Sequence, residues 1–488
     1  MTSSTAPSAS SVASPAEGKL PLSSLTAMVI GSMVGAGIFN LPGRFATATG
    51  PFGALIAWAI AGTGMYMLAR VFQALAEKRP DIDSGVFAYA KAGFGDYVGF
   101  LSAFGYWIGS ALGNTFYWVL ITATLGRFFP AIFGDGTTAI AIIVSLIGVW
   151  AFHLMILRGV EQATFINTVV TIAKIVPLIV AILAFIFFFN YAHFSENFFG
   201  GLNMPEKSLI AQVRDTMLIT VFVFIGIEGA SVYSRFATKR SDVGSATILG
   251  FVAVTGLMVA ITLLPYAVAP RAAIAGVTNP SLAGALELAV GHWGAVFISI
   301  GVLISVLGAF LAWSLICAEV MFAAAKSNDM PRLFSAQNAN RVPANALWLT
   351  NIIVSLFIIS TYWSADAFNF MLDMTSVTTL LPYLLVAGYG VLLARSGVGY
   401  ETTPDERGRD QIFAWTAVVY TLFMFVAAGL KYVLLVAVLF VPGTILYFWA
   451  RREQKARMFT PAELVIFGVT VVAGVIGLVG LLTGVITP

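Results

Sequence analysis

The chain is poor in nearly everything a soluble or secreted domain relies on. Charged residues are 10% of its 488 positions, against roughly 25% in an ordinary soluble domain. Cys317 is the only cysteine, which excludes an intrachain disulfide and leaves the redox compartment unread. The three histidines, His153, His193 and His292, lie far apart. With a single cysteine to join them, they argue against a metal centre. A net charge of +3 gives no electrostatic reason to expect nucleic acid. No Gly-x-x-x-x-Gly-Lys-Ser/Thr loop occurs, so ATP driving is unsupported. No nucleophile–base pair stands out, no cofactor is implied, and the chain does not read as an enzyme. Residues 1–20 lack a charged start followed by a short apolar core and a cleavage site, so they are not a secretory signal. Rich in Ser, Ala and Pro, they read as a disordered cytoplasmic tail, a short regulatory segment being the alternative.

What is present is apolar. Hydrophobic residues make up 59% of the chain and the mean hydropathy is +0.91. Such a chain cannot cover itself with polar side chains, so lipid must be its solvent, and the fold class is an all-α polytopic membrane protein. A spanning helix needs about 20 apolar residues. Segments of that kind fall near 22–41, 52–75, 98–128, 139–157, 165–189, 209–231, 245–268, 283–325, 347–363, 367–393, 413–430, 432–449 and 462–486. That is about 12–13 transmembrane helices. A core over 21–450 and a tail over 451–488, made of a basic cytoplasmic loop and a further candidate span, complete the division. With a cytoplasmic N-terminus, the loops on that side hold Lys78, Arg79, Arg158, Arg235, Lys239, Arg240, Lys326, Arg332, Arg341, Arg395, Arg407, Arg409, Arg451, Arg452, Lys455 and Arg457. The opposite side holds mainly Arg44, Arg127, Lys207, Arg214, Arg271 and Lys431. The excess of basic residues marks the cytoplasmic face. An odd number of spans then puts the C-terminus outside.

Two spans carry small-residue breaks. The first contains Gly31, Gly35 and Gly37; the sixth contains Gly226, Gly229 and Ser231. They lie five spans apart, so the second unit would be inverted relative to the first. Paired interrupted helices of this kind point to a transport site near the bilayer midplane, although glycines also serve close helix packing. Unwound backbone in a membrane must line a cavity or lie buried in protein. Freed N–H groups at the positive end of a half-helix suit a carboxylate, and freed carbonyls near Phe224, Ile225 and Gly226 suit an ammonium. Together the breaks would clamp an α-amino acid.

Ionisable residues inside spans are functional candidates by default. Glu228, just past the second break, could carry a proton or oppose a cationic substrate. It could equally make a structural hydrogen bond. Lys174 sits too deep in the fifth span to snorkel easily. It could brace the first span as a sodium ion does in ion-coupled carriers, couple to protons, or be satisfied structurally. Glu319 and Asp373 could face a substrate cation, but structural pairing is the simpler expectation. Ser110 and Asn114 are four apart and share one helix face. Trp313 and Phe222 could stack on a cation, or simply pack.

The stretch Gly31-Ser-Met-Val-Gly-Ala-Gly-Ile-Phe39 with Leu41-Pro42 is similar to the first-helix signature of the amino acid–polyamine–organocation superfamily. Phe224-Ile-Gly-Ile-Glu-Gly-Ala-Ser231, with Arg235 to Gly244 after it, resembles the basic amino-acid/polyamine antiporters, most of all the arginine/ornithine type. The resemblance runs from about Leu20 to Trp449. It implies a five-plus-five inverted repeat with discontinuous helices 1 and 6, two further helices, and a homodimer in the cell membrane. It assigns the substrate carboxylate to Ala36 and Gly37, with alanine where the family carries serine, so backbone N–H groups must do more. It assigns the ammonium to carbonyls of Met33, Phe222 and Ile225. The side-chain contacts become Gly109, Ser110, Asn114 and Tyr117 on the third helix, Trp313 on the eighth and Thr375 on the tenth. A cytoplasmic-side gate becomes Tyr106, Glu228 and Tyr383. Phe222 replaces a family tryptophan and offers a weaker cation–π face, which suits an ammonium-ended partner such as ornithine or lysine.

The expectation is therefore antiport of basic amino acids, arginine for ornithine, by alternating access. Proton-coupled uptake of a basic amino acid, and lysine export or exchange, are the alternatives. A non-transporting sensor is disfavoured because the loops leave no room for a signalling domain.

Overall fold

The structure, a computed structural model, describes residues 22–82, 86–159, 163–200, 207–227, 240–364 and 366–487. Residues 1–21 lie outside it, and with them the expected N-terminal tail; so does Glu228. The described residues are helical throughout, joined by short turns. In chain order the helices are α1 (Leu22–Met33), α2 (Leu41–Ala48), α3 (Pro51–Lys78), α4 (Val86–Phe94) and α5 (Asp96–Phe128). There follow α6 (Pro130–Phe133), α7 (Ala139–Leu157), α8 (Ala163–Phe187), α9 (Tyr191–Asn197) and α10 (Leu209–Phe224). The remainder are α11 (Arg240–Leu263), α12 (Arg271–Ala275), α13 (Ser281–Val290), α14 (His292–Lys326), α15 (Ala344–Ser360), α16 (Ala367–Ser396), α17 (Pro404–Glu453) and α18 (Pro461–Leu482).

Among the described residues, nine helices are long and apolar enough to cross a bilayer, or up to eleven if two bent pairs each count as one span. The chain is a multi-pass membrane protein. The bent pairs join Leu25–Gly31 to Ala36–Ala48 at 50° and Ile172–Phe187 to Tyr191–Asn197 at 101°. One boundary differs from that expected. The segment 283–325 is not one span: Gly291, at φ 85°, separates α13 from α14. The segments 413–430 and 432–449 are the two arms of α17, which breaks at their junction at Gly429 (φ 78°, ψ 163°). Apolarity alone reads straight through Gly291; the positive φ, open to glycine without steric penalty, turns the chain.

α5 is the central post. It is buried along almost its whole length, and α14 and α16 are among the helices packed most extensively on it. Its glycines at 105, 109 and 113 recur every four residues and so share one face. A Cβ at Gly105 would meet Phe440 at 3.1 Å, one at Gly109 would meet Thr379 Oγ1 at 3.1 Å, and one at Gly113 would meet Thr375 Cγ2 at 3.4 Å. The bare face lets α16 come close, the small-residue packing that membranes favour where no hydrophobic force joins helices. Hydroxyls on α16 are settled within the helix: Thr375 donates to Met371 O (2.8 Å), Ser376 to Leu372 O (2.9 Å) and Thr379 to Thr375 O (2.9 Å). Trp107 Nε1 donates to Thr350 Oγ1 at 2.9 Å and Cys317 Sγ to Trp107 O at 3.4 Å, tying α15 and α14 to the same post.

The periphery is built differently. On α7, Ile140, Ile143, Ile147 and Leu154 are exposed, as a lipid-facing stripe requires. α18 is the least embedded of the long helices. Gly474 and Gly477 bring it against the α17 backbone, with Ala437 O and Leu434 O at 3.1 and 2.7 Å from the Cβ position. Its start is a capping box: Glu463 N donates to Thr460 Oγ1 (3.3 Å) and Thr460 N to Glu463 Oε2 (2.8 Å). The other Glu463 oxygen accepts from Tyr97 N at 2.8 Å, pinning α18 to the first turn of α5.

Candidate transport site

The first helix stops where its glycines begin. α1 ends at Met33, Gly35 is extended (φ −101°, ψ −172°), and a 3₁₀ turn over Ala36–Asn40 restarts the chain toward α2. The first N–H groups of that turn have no partner within the helix, as at any helix start. α10 ends at Phe224, Ile225 is extended (φ −59°, ψ 130°), and Gly226 takes φ 107°. Its last carbonyls form the negative end of a half-helix, with Phe222 O accepting from Ile225 N (3.3 Å) and Phe224 O from Ile227 N (3.1 Å) in the turn that follows. The two breaks meet. A Cβ at Gly37 would lie 2.6 Å from Phe222 Cδ1 and 2.9 Å from Val223 Cγ1. Only glycine permits that approach. A Cβ at Gly35 would meet nothing within 4 Å, because Gly35 opens onto a cavity.

The cavity encloses about 510 Å³ not filled by atoms, open space at its mouth included. It is lined by Met33, Gly35, Gly37, Tyr106, Gly109, Ser110, Gly113, Tyr117, Phe222, Val223, Ile225, Trp313, Thr375 and Thr379. Helices α1, α5, α10, α14 and α16 each contribute. Of the residues singled out in the sequence, Met33, Gly37, Tyr106, Gly109, Ser110, Tyr117, Phe222, Ile225, Trp313 and Thr375 are brought together here. Gly35 is there too, from the first small-residue break, whereas Gly113, Val223 and Thr379 were not singled out. The four-residue spacings from Gly109 to Gly113 and from Thr375 to Thr379 would have found two of them.

Several expected residues fall outside the lining. Ala36 is buried beside it in the 3₁₀ turn. Asn114 is fully buried next to Gly113, and neither its amide nitrogen nor its oxygen has a partner among the described residues. Leaving such a group unsatisfied costs about 1–3 kcal/mol, so Asn114 is the least settled polar side chain near the cavity. Tyr383 is buried one layer away, edge-on to Phe72 at 6.0 Å. Lys174 lies on the protein-facing side of α8, with exposed Ile172, Val176 and Ile179 on the lipid side, and makes no ion pair among the described residues. Glu319, on α14, is also outside the lining. Asp373 is occupied: Arg44 Nη2 donates to both its oxygens, at 2.8 and 2.6 Å, and the Tyr432 hydroxyl donates to Oδ2 at 2.9 Å.

Among the described residues the lining carries no acidic or basic side chain. Three of its hydroxyl protons are engaged within their own helices: Ser110 donates to Tyr106 O (2.8 Å), Thr375 to Met371 O (2.8 Å) and Thr379 to Thr375 O (2.9 Å). A hydroxyl keeps acceptor capacity after donating. The side-chain end of the cavity therefore offers oxygen lone pairs and the rings of Phe222, Trp313 and Tyr117, all suited to a cation. Phe222 is itself held edge-on by Phe116, with centroids 4.9 Å apart.

A second polar cluster ties the loop regions at the end of α14. Lys91 Nζ donates to Asp329 Oδ1 (2.7 Å) and Ser327 O (3.0 Å) and lies 3.6 Å from Asp96, which also accepts from Arg451 Nη1 at 2.9 Å. Burial pushes the Asp329 carboxyl up to about 6, with Lys91 opposing the rise.

A family model described as amino acid permease matches residues 20–445. The arginine/ornithine antiporter of Pseudomonas aeruginosa is 48% identical over 96% of this chain and 98% of its own length. The L-lysine transport protein of Corynebacterium glutamicum is 39% identical over 94% of each chain. The arginine/agmatine antiporter of Chlamydia abortus is 36% identical over 92% of this chain and 93% of its own. With two broken helices meeting at a cavity and a match along nearly its full length, the chain belongs to the amino acid permease family, among the basic amino-acid antiporters.

Proposed function

We propose that this protein exchanges basic amino acids across the cell membrane by alternating access, taking arginine in and ornithine out. The observation that carries the reading is the cavity between two helix breaks, acceptor-rich and without charge among the described residues, in a chain 48% identical to an arginine/ornithine antiporter. The amino acid's carboxylate meets the N–H groups at Ala36 and Gly37, where the half-helix dipole is positive. Its α-ammonium meets carbonyls of Met33, Phe222 and Ile225. Its cationic end lies among Ser110, Thr375 and Trp313, with the Asn114 amide free to turn toward it. Arginine, ornithine and lysine each carry one positive charge, so a cavity without charge of its own accepts any of them and their exchange moves no net charge. A bound guest stabilises the closed states through which the cavity changes sides, and an empty cavity does not; that difference makes transport an exchange.

The N-terminus is cytoplasmic in this reading, and the two broken helices belong to a five-plus-five inverted repeat. Tyr106, Glu228 and Tyr383 close the cytoplasmic side. Vesicles loaded with ornithine take up labelled arginine, and empty vesicles do not; equal uptake into both removes the exchange reading. A second reading, proton-coupled uptake, is favoured by Lys174 on the protein side of α8, which makes no ion pair among the described residues. In that case an imposed pH gradient drives uptake into empty vesicles, and Lys174→Ala abolishes the pH response.

A further inference from the structure

The outer end of the site is guarded by an ion pair, and its chemistry repeats that of the proposed substrate. Arg44 lies on α2, seven residues beyond cavity-lining Gly37, which is about 10 Å along a helix. Asp373 lies on α16, just ahead of cavity-lining Thr375. The contact between them is close but incomplete. One nitrogen of Arg44 serves both Asp373 oxygens, at 2.8 and 2.6 Å, in place of the two-nitrogen fork that makes such pairs strongest. Arg44 Nε is buried without a partner among the described residues. So is Asn40 Oδ1, one turn back toward the cavity on the same face of α2. Asp373 itself is 5% exposed and receives the Tyr432 hydroxyl at 2.9 Å.

The wall around Asp373 suits cations. Lys431 stands 5.2 Å from the ring centroid of Tyr432 and 6.0 Å from that of Phe370. Asp366, exposed at the N-cap of α16, lies two turns farther out on the helix face of Asp373. From outside inward, a cation would meet Asp366, Asp373 with Tyr432, Asn40 and then the cavity. The group held against Asp373 among the described residues is itself a guanidinium, and it is carried on the outer half of the broken first helix. That half is fixed by its packing, with Phe45 buried and stacked on Trp58 at 5.6 Å, and its hydrogen bonds to the rest of the protein include those from Gly43 N to Ser281 Oγ (2.9 Å) and from Arg271 Nη1 to Ala46 O (2.6 Å).

We propose that Asp373 and Tyr432 form an outer station for the cationic end of an incoming amino acid, and that Arg44 is a tethered competitor which holds the station while the outer side is closed. When α2 swings away, Arg44 leaves the carboxylate and a guest guanidinium or ammonium takes its place. The guest then moves past Asn40 into the cavity, and Arg44 returns behind it. One carboxylate serves one cation at a time, so the outer side closes only after the guest has moved on. This rests on the exchange reading above and on the N-terminal face being cytoplasmic.

The test uses the full chain in oriented proteoliposomes, with labelled arginine outside and ornithine inside. Asp373→Asn raises the external KM for arginine about tenfold, the loss of one charge-assisted contact. Arg44→Gln shifts it the other way, lowering it several-fold, because the competitor is gone. The internal KM for ornithine stays put in both. Removing one member of a buried pair can unfold a protein, so the neutral double variant Arg44→Gln/Asp373→Asn is measured beside them, and its external KM matches that of Asp373→Asn. Shifts of the same sign in the two single variants, equal shifts on both sides of the membrane, or a double variant with wild-type KM would each overturn the station. Loss of exchange in the wild-type protein would instead remove the exchange reading, and the station with it.

Discussion

The cavity and its outer rim are built from opposite materials. Among the described residues the cavity has no charged side chain; it offers backbone dipoles, hydroxyl oxygens and rings. A short way out along α2 and α16 stands the Arg44–Asp373 pair, and farther out Arg127 Nη2 meets Glu287 Oε2 at 2.6 Å. At the end of α14, Lys91, Asp96, Asp329 and Arg451 form a charged network of their own. The division has a physical reason. A fixed charge in the cavity would hold a cationic guest too tightly in one state and stand desolvated in the other. At the rim, charges pair with each other when closed and with water when open, so they can serve as latches. In the proposed exchange, recognition rests on dipoles and closure on ions.

The comparison can be broken at the cavity first. Gly37→Leu drives a side chain into Phe222 and Val223, and exchange falls below detection while the protein stays monodisperse in detergent; retained exchange would mean that the two breaks need not meet. The charged network gives the next effect. With its carboxyl up at about 6, Asp329 keeps its proton in the folded state at pH values where the unfolded chain has lost it. Stability then falls as pH rises from the ordinary carboxyl range to about 6, by up to about 1.4 kcal/mol per pH unit, and levels off above. Melting curves at stepped pH show this slope in the wild type and its absence in Asp329→Asn.

Smaller changes sharpen the same contrast. Thr375→Val removes a lone pair facing the guest cation and weakens binding by about 1.5–3 kcal/mol, in the range of a hydrogen bond to a charged group; calorimetric titration with arginine reads it. Trp313→Ala weakens binding by roughly 1–2 kcal/mol if the ring stacks on a desolvated cation, and an unchanged affinity would return Trp313 to packing. Asp81→Ala cuts an exposed pair with Arg79 and leaves both exchange and melting temperature where they were.

How much of this could be read from the chain follows from range. The helix breaks are local: Gly35 and Gly37 weaken the helix in which they stand, and so does Gly226. On α5, Ser110 was legible from its four-residue spacing to Asn114, whereas Gly109 and Tyr117 came only from the resemblance to the antiporters. Thr379 follows Thr375 by one turn and Val223 touches Gly37, but neither has an unusual chemistry to draw the eye. The break at Gly291 was hidden because a positive φ leaves no mark in hydropathy. The partner of Asp373 was out of reach for a different reason. Arg44 stands 329 positions away, and nothing local to either residue names the other. Asn114 shows the limit of periodicity: sharing a face with Ser110 put it near the cavity, while its amide turns into the packing beside it.

The committed hydroxyls of Ser110, Thr375 and Thr379 make the far wall of the cavity a one-way polar surface. Those three groups can receive a proton donor but have no proton of their own to give. A side chain ending in a carboxylate would set oxygen against oxygen at each of them. Three O–H bonds, each fixed by a carbonyl in its own helix, thus turn that part of the wall against glutamate and toward a cation.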